Sequence, residues 1–175
     1  MKPLLDLIAD VADFPSPGIV FKDISPLLAD PVAFAAAVDA MAEAYLSENI
    51  DRVVGIEARG FVFAAPVAHR LGAGFVPVRK PGKLPRAVHE RAYDLEYGQN
   101  VLQVHVDGLA PGDRVLIVDD VLATGGTAAA AAHLVRACGA ELVGISLLLE
   151  LAFLGGRAAL EQAVPGVPVS CLLTV

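Results

Sequence analysis

Residues 115–127 run Val115-Leu116-Ile117-Val118-Asp119-Asp120-Val121-Leu122-Ala123-Thr124-Gly125-Gly126-Thr127. Four aliphatic residues without a polar break, Val115 to Val118, suit a strand buried on both faces of a parallel sheet. Asp119 and Asp120 then fall where such a strand leaves the sheet, at the carboxyl edge where open α/β folds bind ligands. Ala123 to Thr127 adds two glycines that widen the allowed backbone angles and two hydroxyls. An alanine-rich helix, Ala128 to Ala137, follows. A loop of this kind at a helix N-terminus turns several N–H groups toward one point, and the helix dipole favours an anion there, most naturally a phosphate.

Neither G-x-x-x-x-G-K-[ST] nor G-x-G-x-x-G is present, so the chemistry rests on the residues themselves. Two carboxylates sharing a pocket with a phosphate would repel it. They suit a neutral polyol or a metal beside the anion, and a sugar phosphate meets both demands. The bland alternative is a strand–turn–helix whose aspartates cap the helix. The pattern D-D-x-x-x-T-G-G-T is similar to the ribose-phosphate-binding signature of type I phosphoribosyltransferases.

At 175 residues the chain has the size of a single domain spanning 1–175, large enough to bury a core without staples. It is apolar, with 55% hydrophobic residues, yet alanine supplies much of this and no apolar run reaches the roughly 18 residues of a membrane span. Asp6, Asp10 and Asp13 interrupt the N-terminal stretch, which is therefore no signal peptide, and a cytoplasmic address is expected. Cys138 and Cys171 lie among aliphatic neighbours and read as small buried hydrophobes rather than a disulfide. Four scattered histidines form no metal-ligand cluster. A formal net charge of −7 argues against nucleic-acid binding, so a polyanionic ligand requires a local gathering of cations. Arg79, Lys80, Lys83, Arg86 and Arg91 supply one, opposed there only by Glu90; on charge alone it is equally a solvated basic loop.

Outside the central motif, Leu4, Leu5, Leu7, Ile8 and Val11 have helical spacing and predict a short amphipathic helix. Two prolines make residues 13–24 an extended, turn-rich arm. Asp30-Pro31 starts a helix whose face is Phe34, Val38, Met41 and Tyr45, running to about Asn49. Arg52 to Ile56 is a buried strand ending in Glu57-Ala58-Arg59-Gly60, again at a ligand-binding edge. A helix from Val62 to Leu71 stops at Gly72. Phe75 to Val78 is a third strand, and the alternating Val101–Val106 suggests antiparallel, half-exposed pairing. Strands at Leu142–Leu149 and Val169–Leu173 flank a short helix at Leu154–Ala163. The whole predicts an α/β doubly wound domain with a mainly parallel sheet flanked by helices, a small N-terminal hood near 13–24 and a flap near 80–106.

F-P-S-P-G-I-V-F-K-D-I from Phe14, G-I-E-A-R-G-F from Gly55, R-K-P-G-K-L-P from Arg79, Y-D-L-E-Y-G from Tyr93 and the central motif occur in this order. Together they resemble the adenine phosphoribosyltransferase family from nearly end to end. The resemblance implies transfer of ribose 5-phosphate from 5-phosphoribosyl 1-diphosphate to adenine, giving AMP and diphosphate in purine salvage, with magnesium and a homodimer. It implies that Asp119 and Asp120 accept from the ribose hydroxyls, and that Ala123, Thr124, Gly125, Gly126 and Thr127 hold the 5′-phosphate. Arg59 would meet the diphosphate, oriented by Glu57, with Arg79, Lys80 and Lys83 as flanking cations, some supplied across a dimer interface. Magnesium would take most of its ligands from substrate and water, and the resemblance assigns no particular residue to it. Val20, Phe21 and Lys22 would present the base, Glu96 would handle its proton and Tyr97 would close the lid. On sequence alone Glu96 is a turn residue; the family match gives it this role. Many relatives carry a proline where Ala152 stands, which leaves the base-covering loop less rigid in expectation. Two other readings stay open, a nucleotide-sensing regulator without turnover and a transferase for xanthine or guanine.

Overall fold

The computed structural model describes residues 3–94 and 99–175. In chain order its elements are β1 (Ala9–Ala12), β2 (Val20–Asp23), α1 (Ser25–Ala29), α2 (Pro31–Glu43), β3 (Arg52–Ile56), α3 (Gly60–Leu71), β4 (Gly74–Val78), β5 (Val88–Asp94), β6 (Gln99–His105), β7 (Arg114–Leu122), α4 (Gly126–Ala137), β8 (Glu141–Glu150), α5 (Gly156–Ala163) and β9 (Val169–Thr174). Five of the strands form a parallel sheet in the order β4-β3-β7-β8-β9. Its two faces carry separate cores. Val115 and Ile117 of β7 point to the core under α4 and α5, while Leu116 and Val118 point to the core under α2 and α3. Both faces are covered, which is why the period of two vanishes from the sequence of this strand. The doubly wound α/β architecture is the expected one.

Local signals account for most helix ends. Asp30 caps α2, its Oδ1 accepting from the N–H groups of Val32 and Ala33 at 3.0 Å each, with Pro31 at the first helical position. The α-helix stops at Glu43, short of the expected Asn49, and turns carry the chain on. Tyr45 still reaches the core from those turns. Gly72, at φ 68°, ends α3 in the left-handed conformation that glycine adopts without strain.

The hood and flap are two antiparallel hairpins, β1 with β2 and β5 with β6. In the flap hairpin Leu102 and Val104 of β6 are buried against the α4 side, and their neighbours are half-buried, as the alternation predicted. An isolated bridge between Arg79 and Gln103 ties this hairpin to the end of β4. The N-terminus departs from expectation. Leu4–Leu7 forms only one 3-10 turn, and Ala9–Ala12 is a strand paired with Val20–Asp23. Cross-strand pairing of this segment outweighed a helical spacing that covers just two turns.

The candidate active site

A cleft of about 360 Å³ opens at the carboxyl ends of β3 and β7. Sheet register makes it. β3 accompanies β7 only as far as the Gly55–Val118 pair, whereas β8 continues beside it to Leu122 and Glu150. The sequence placed Asp119 and Asp120 beyond their strand, but they lie inside it, since β7 extends to Leu122. They have lost the neighbour on one side only. That opening exposes them to the cleft while the backbone stays held from the other side.

Both aspartates are well covered, Asp119 at 8% exposure and Asp120 at 5%. The Asp120 N–H donates to Asp119 Oδ1 at 2.9 Å. Arg59 Nε stands 2.7 Å from Asp120 Oδ2. Burial and then the neighbouring Asp120 charge hold the Asp119 carboxyl well above the ordinary carboxylate range. Burial also raises Asp120, against the pull of the Arg59 guanidinium. Gly60 is required at its position for a steric reason, since a Cβ there would lie 2.5 Å from Asp119 Oδ1.

Ala123, Thr124, Gly125 and Thr127 line the adjoining wall, and Gly126 is the first residue of α4 behind them. Gly125 precedes the helix at φ 86°, and the first N–H groups of α4, which lack intrahelical acceptors, belong to the turn from which Gly125, Thr127 and Ala128 line the cleft. Thr127 Oγ1 donates to the Tyr93 hydroxyl at 3.4 Å, linking the loop to the flap strand β5.

The cations are distributed differently from expectation. Glu57 does not orient Arg59. It accepts instead from Arg79 Nε and NH2, both at 3.2 Å, and from the Lys80 N–H at 3.0 Å. Burial pushes the Glu57 carboxyl up, and the hydrogen bonds from Arg79 and Lys80 outweigh it to leave a net downward shift. Arg59 is held by Asp120, with its guanidinium carbon 5.1 Å from the centroid of the Phe21 ring. Arg59 and Lys80 line the cleft itself. Arg79 and Lys83 are not among its lining residues; the Lys83 carbonyl accepts from Arg79 NH1 at 3.2 Å. On the hood, Val20 is exposed beside Phe21, and the Lys22 ammonium is turned to Asp10 Oδ1 at 2.6 Å. Glu96 and Tyr97 lie outside the described residues.

Tyr93 and Asn100 also line the cleft, facing one another across the flap hairpin, and neither was assigned a role from sequence. Their pairing depends on hairpin register, for which the residues between them hold no two-residue turn signature. Ala152 sits in a 3-10 turn with its N–H donated to the Val175 carbonyl at 2.9 Å, a bond that proline cannot make. Both cysteines are free thiols, and burial raises them, Cys171 to about 11. Among the described residues no three His, Cys, Asp or Glu side chains converge on one point. Asp120 is already engaged by Arg59. The carboxylate oxygens of Asp119 and Asp120, which line the cleft, are of the kind that suits a hard cation. Among the described residues no helix is long and apolar enough to cross a membrane.

Residues 25–161 match the family described as phosphoribosyl transferase domain. An adenine phosphoribosyltransferase of Streptomyces coelicolor is 62% identical over 172 residues, which cover 98% of this chain and 94% of that protein. The crystal structure of adenine phosphoribosyltransferase from Rhodothermus marinus superposes with a TM-score of 0.93 at 49% identity, covering 98% and 96% of the two chains. The Saccharomyces cerevisiae adenine phosphoribosyltransferase, crystallised with an imino-altritol bisphosphate and adenine, gives a TM-score of 0.89 at 41% identity over 97% and 96%.

Proposed function

We infer a working arrangement for this cleft from the premise that the chain belongs to the phosphoribosyltransferase family and, within it, to the adenine phosphoribosyltransferases. The reaction transfers the 5-phosphoribosyl group from 5-phosphoribosyl 1-diphosphate to adenine, giving AMP and diphosphate in purine salvage. The observation that carries the assignment of roles is the convergence of the Asp119–Asp120 pair, the Ala123–Thr127 loop and Arg59 on one cleft. The loop amides and the Thr124 and Thr127 hydroxyls receive the 5′-phosphate. Asp119 and Asp120 accept hydrogen bonds from the ribose hydroxyls. Arg59, released from Asp120, turns to the diphosphate, with Arg79, Lys80 and Lys83 around it.

Breaking the anomeric C–O bond of an activated sugar gives a transition state with oxocarbenium character. The chain then stabilises charge on the departing diphosphate through Arg59 and Lys80, and excludes water with the flap. Magnesium, when bound to the diphosphate, supplies further neutralisation of that charge. Phe21 stacks on the base, and the Val20–Lys22 backbone meets its edge, supported by the side of β2 that faces away from β1 in this two-stranded sheet. Glu96 manages the purine proton and Tyr97 closes over it, a role drawn from the family resemblance carried by the Y-D-L-E-Y-G stretch. A homodimer and a cytoplasmic address complete the proposal. The dimer is supported by exposed apolar side chains at Val62 and Phe75, on α3 and the edge strand β4.

Steady-state rates with adenine, hypoxanthine, guanine and xanthine, in the presence of magnesium, test the reading. A backbone carbonyl facing the base's six-position accepts from adenine's amine and meets hypoxanthine acceptor to acceptor. Adenine is expected to lead in kcat/KM by about three to four orders of magnitude. Hypoxanthine or guanine within roughly tenfold of adenine would overturn the hood as reader of the adenine edge. No product with any base would leave the regulator.

A further inference from the structure

The loop assigned to the 5′-phosphate is propped from behind by bare backbone. A Cβ on Gly125 would lie 2.6 Å from the Gly156 carbonyl oxygen. A Cβ on Gly156 would overlap the Ala123 carbonyl and reach within 3.0 Å of the Gly125 nitrogen. Two segments distant in sequence, at Ala123–Gly125 and at Gly156, therefore touch main chain to main chain, and whatever fixes Gly156 fixes the loop.

The next residue does the fixing. Arg157 Nε donates to both carboxylate oxygens of Glu150, at 3.0 and 3.1 Å, and NH2 donates to Oε2 at 2.5 Å. Its NH1 donates to the Val169 carbonyl at 2.8 Å. Glu150 is 7% exposed and is the last residue of β8. It pairs in register with Leu122, the last residue of β7 and the one from which the loop departs. The Leu151 N–H also donates to the Leu122 carbonyl at 2.9 Å. A closed circuit results, running from Leu122 through the loop to Gly156, through Arg157 to Glu150, and back to Leu122. Neither Glu150 nor Arg157 lines the cleft. Hydrogen bonding from Arg157 holds the Glu150 carboxyl below its ordinary range, so the pair stays ionised at neutral pH.

We propose that Glu150 and Arg157 are a positioning pair for the phosphate loop, holding the first residue of α5 against Ala123 and Gly125 and so fixing the spacing of the amides that receive the 5′-phosphate. The proposal rests on the reading of that loop given above and assigns the pair no contact with substrate. A forked guanidinium is what the geometry uses, since one planar group spans the carboxylate and the Val169 carbonyl together.

Calorimetric titration of the full chain with ribose 5-phosphate and, separately, with magnesium diphosphate tests it in the parent, Arg157→Ala, Arg157→Lys and Gly156→Ala. Ribose 5-phosphate engages the loop; diphosphate engages the opposite, cationic end. The expected result is a loss of roughly ten- to hundredfold in ribose 5-phosphate affinity for Arg157→Ala and Gly156→Ala, with diphosphate held within about twofold and partial recovery in Arg157→Lys. Gly156→Ala tests the backbone contact, and Arg157→Lys, which keeps a cation beside Glu150 but loses the fork, tests the pair if Arg157→Ala fails to fold. Unchanged ribose 5-phosphate affinity in Gly156→Ala and Arg157→Lys overturns the pair's role while leaving the site reading intact. Equal losses for both ligands would reduce the pair to a fold staple. A parent that binds no ribose 5-phosphate removes the loop reading itself, and the pair's role with it.

Discussion

Asp119 carries opposite demands from folding and from binding. Its carboxyl is buried beside a second carboxylate, and its pKa stands well above the ordinary value. A raised acid pKa means that the folded state holds the proton more tightly than the unfolded state does. The associated stability is present below about pH 4 and is lost as pH rises from there through the folded-state value. Asparagine cannot ionise, and its amide oxygen can still accept from the Asp120 N–H. Asp119→Asn is therefore expected to match the parent's Tm near pH 4 and exceed it by a margin that widens toward neutrality. In the same variant ribose 5-phosphate should bind more weakly by about 1.5–3 kcal/mol, the worth of a charged hydrogen-bond acceptor. Parallel Tm curves from pH 4 to 7.5 would show that Asp119 ionises without cost. The two aspartates and the glycine loop were legible in the sequence because their chemistry is contiguous. The partner of Arg59 was not. Glu57 is two residues away in sequence and Asp120 is far along the chain, yet the junction of β3 with β7 makes Asp120 the neighbour, and Arg79, at the end of β4, takes Glu57.

Elements whose ends carry their own chemistry were the readable ones. The start of α2 was visible in Asp30-Pro31, and the end of α3 in Gly72, because a cap or a left-handed turn needs particular residues. The N-terminal segment had no such marker. Its leucines fit a helix as well as the single 3-10 turn that forms, and the partner strand that claims Ala9–Ala12 lies across the arm at Val20–Asp23. The capping bond at α2 is also a clean control for the functional claims, since that helix covers the sheet away from the cleft. Asp30→Ala orphans two N–H groups and is expected to lower unfolding free energy by about 1 kcal/mol. Urea denaturation with an unchanged slope would report it. Kinetic constants for both substrates should stay at parental values. A change in KM for either would mean that α2 reaches the site in a way its packing does not suggest.

On the scale of the whole molecule, a net charge of −7 coexists with the proposed polyanion site because parallel β3 and β4 end side by side and place Arg59, Arg79 and Lys80 just beyond their carboxyl ends. The sequence showed the cluster from Arg79 onward but not what orders it. Phe75, on edge strand β4, is 38% exposed and lies over β3 so closely that a Cβ on Gly55 would come within 2.7 Å of its ring. It meets Phe61 edge to face at 5.6 Å between centroids, and the Arg79 guanidinium carbon lies 6.0 Å from the Phe61 centroid. The exposed ring is thus two contacts from a cation of the proposed diphosphate site. In the proposed dimer, a second copy covering this edge would bury Phe75 and Val62 and confine Phe61, and through Phe61 it would restrict Arg79. Phe75→Glu places a charge in that contact and adds to the like-charge repulsion between copies. Sedimentation velocity is expected to show a dimer for the parent and a monomer for the variant, whose diphosphate affinity falls because Arg79 has lost its support. A monomeric parent would remove the dimer from the proposal. A monomeric variant with parental diphosphate affinity would instead separate assembly from the ordering of Arg79, leaving Glu57 and the Lys83 carbonyl to hold that side chain in place.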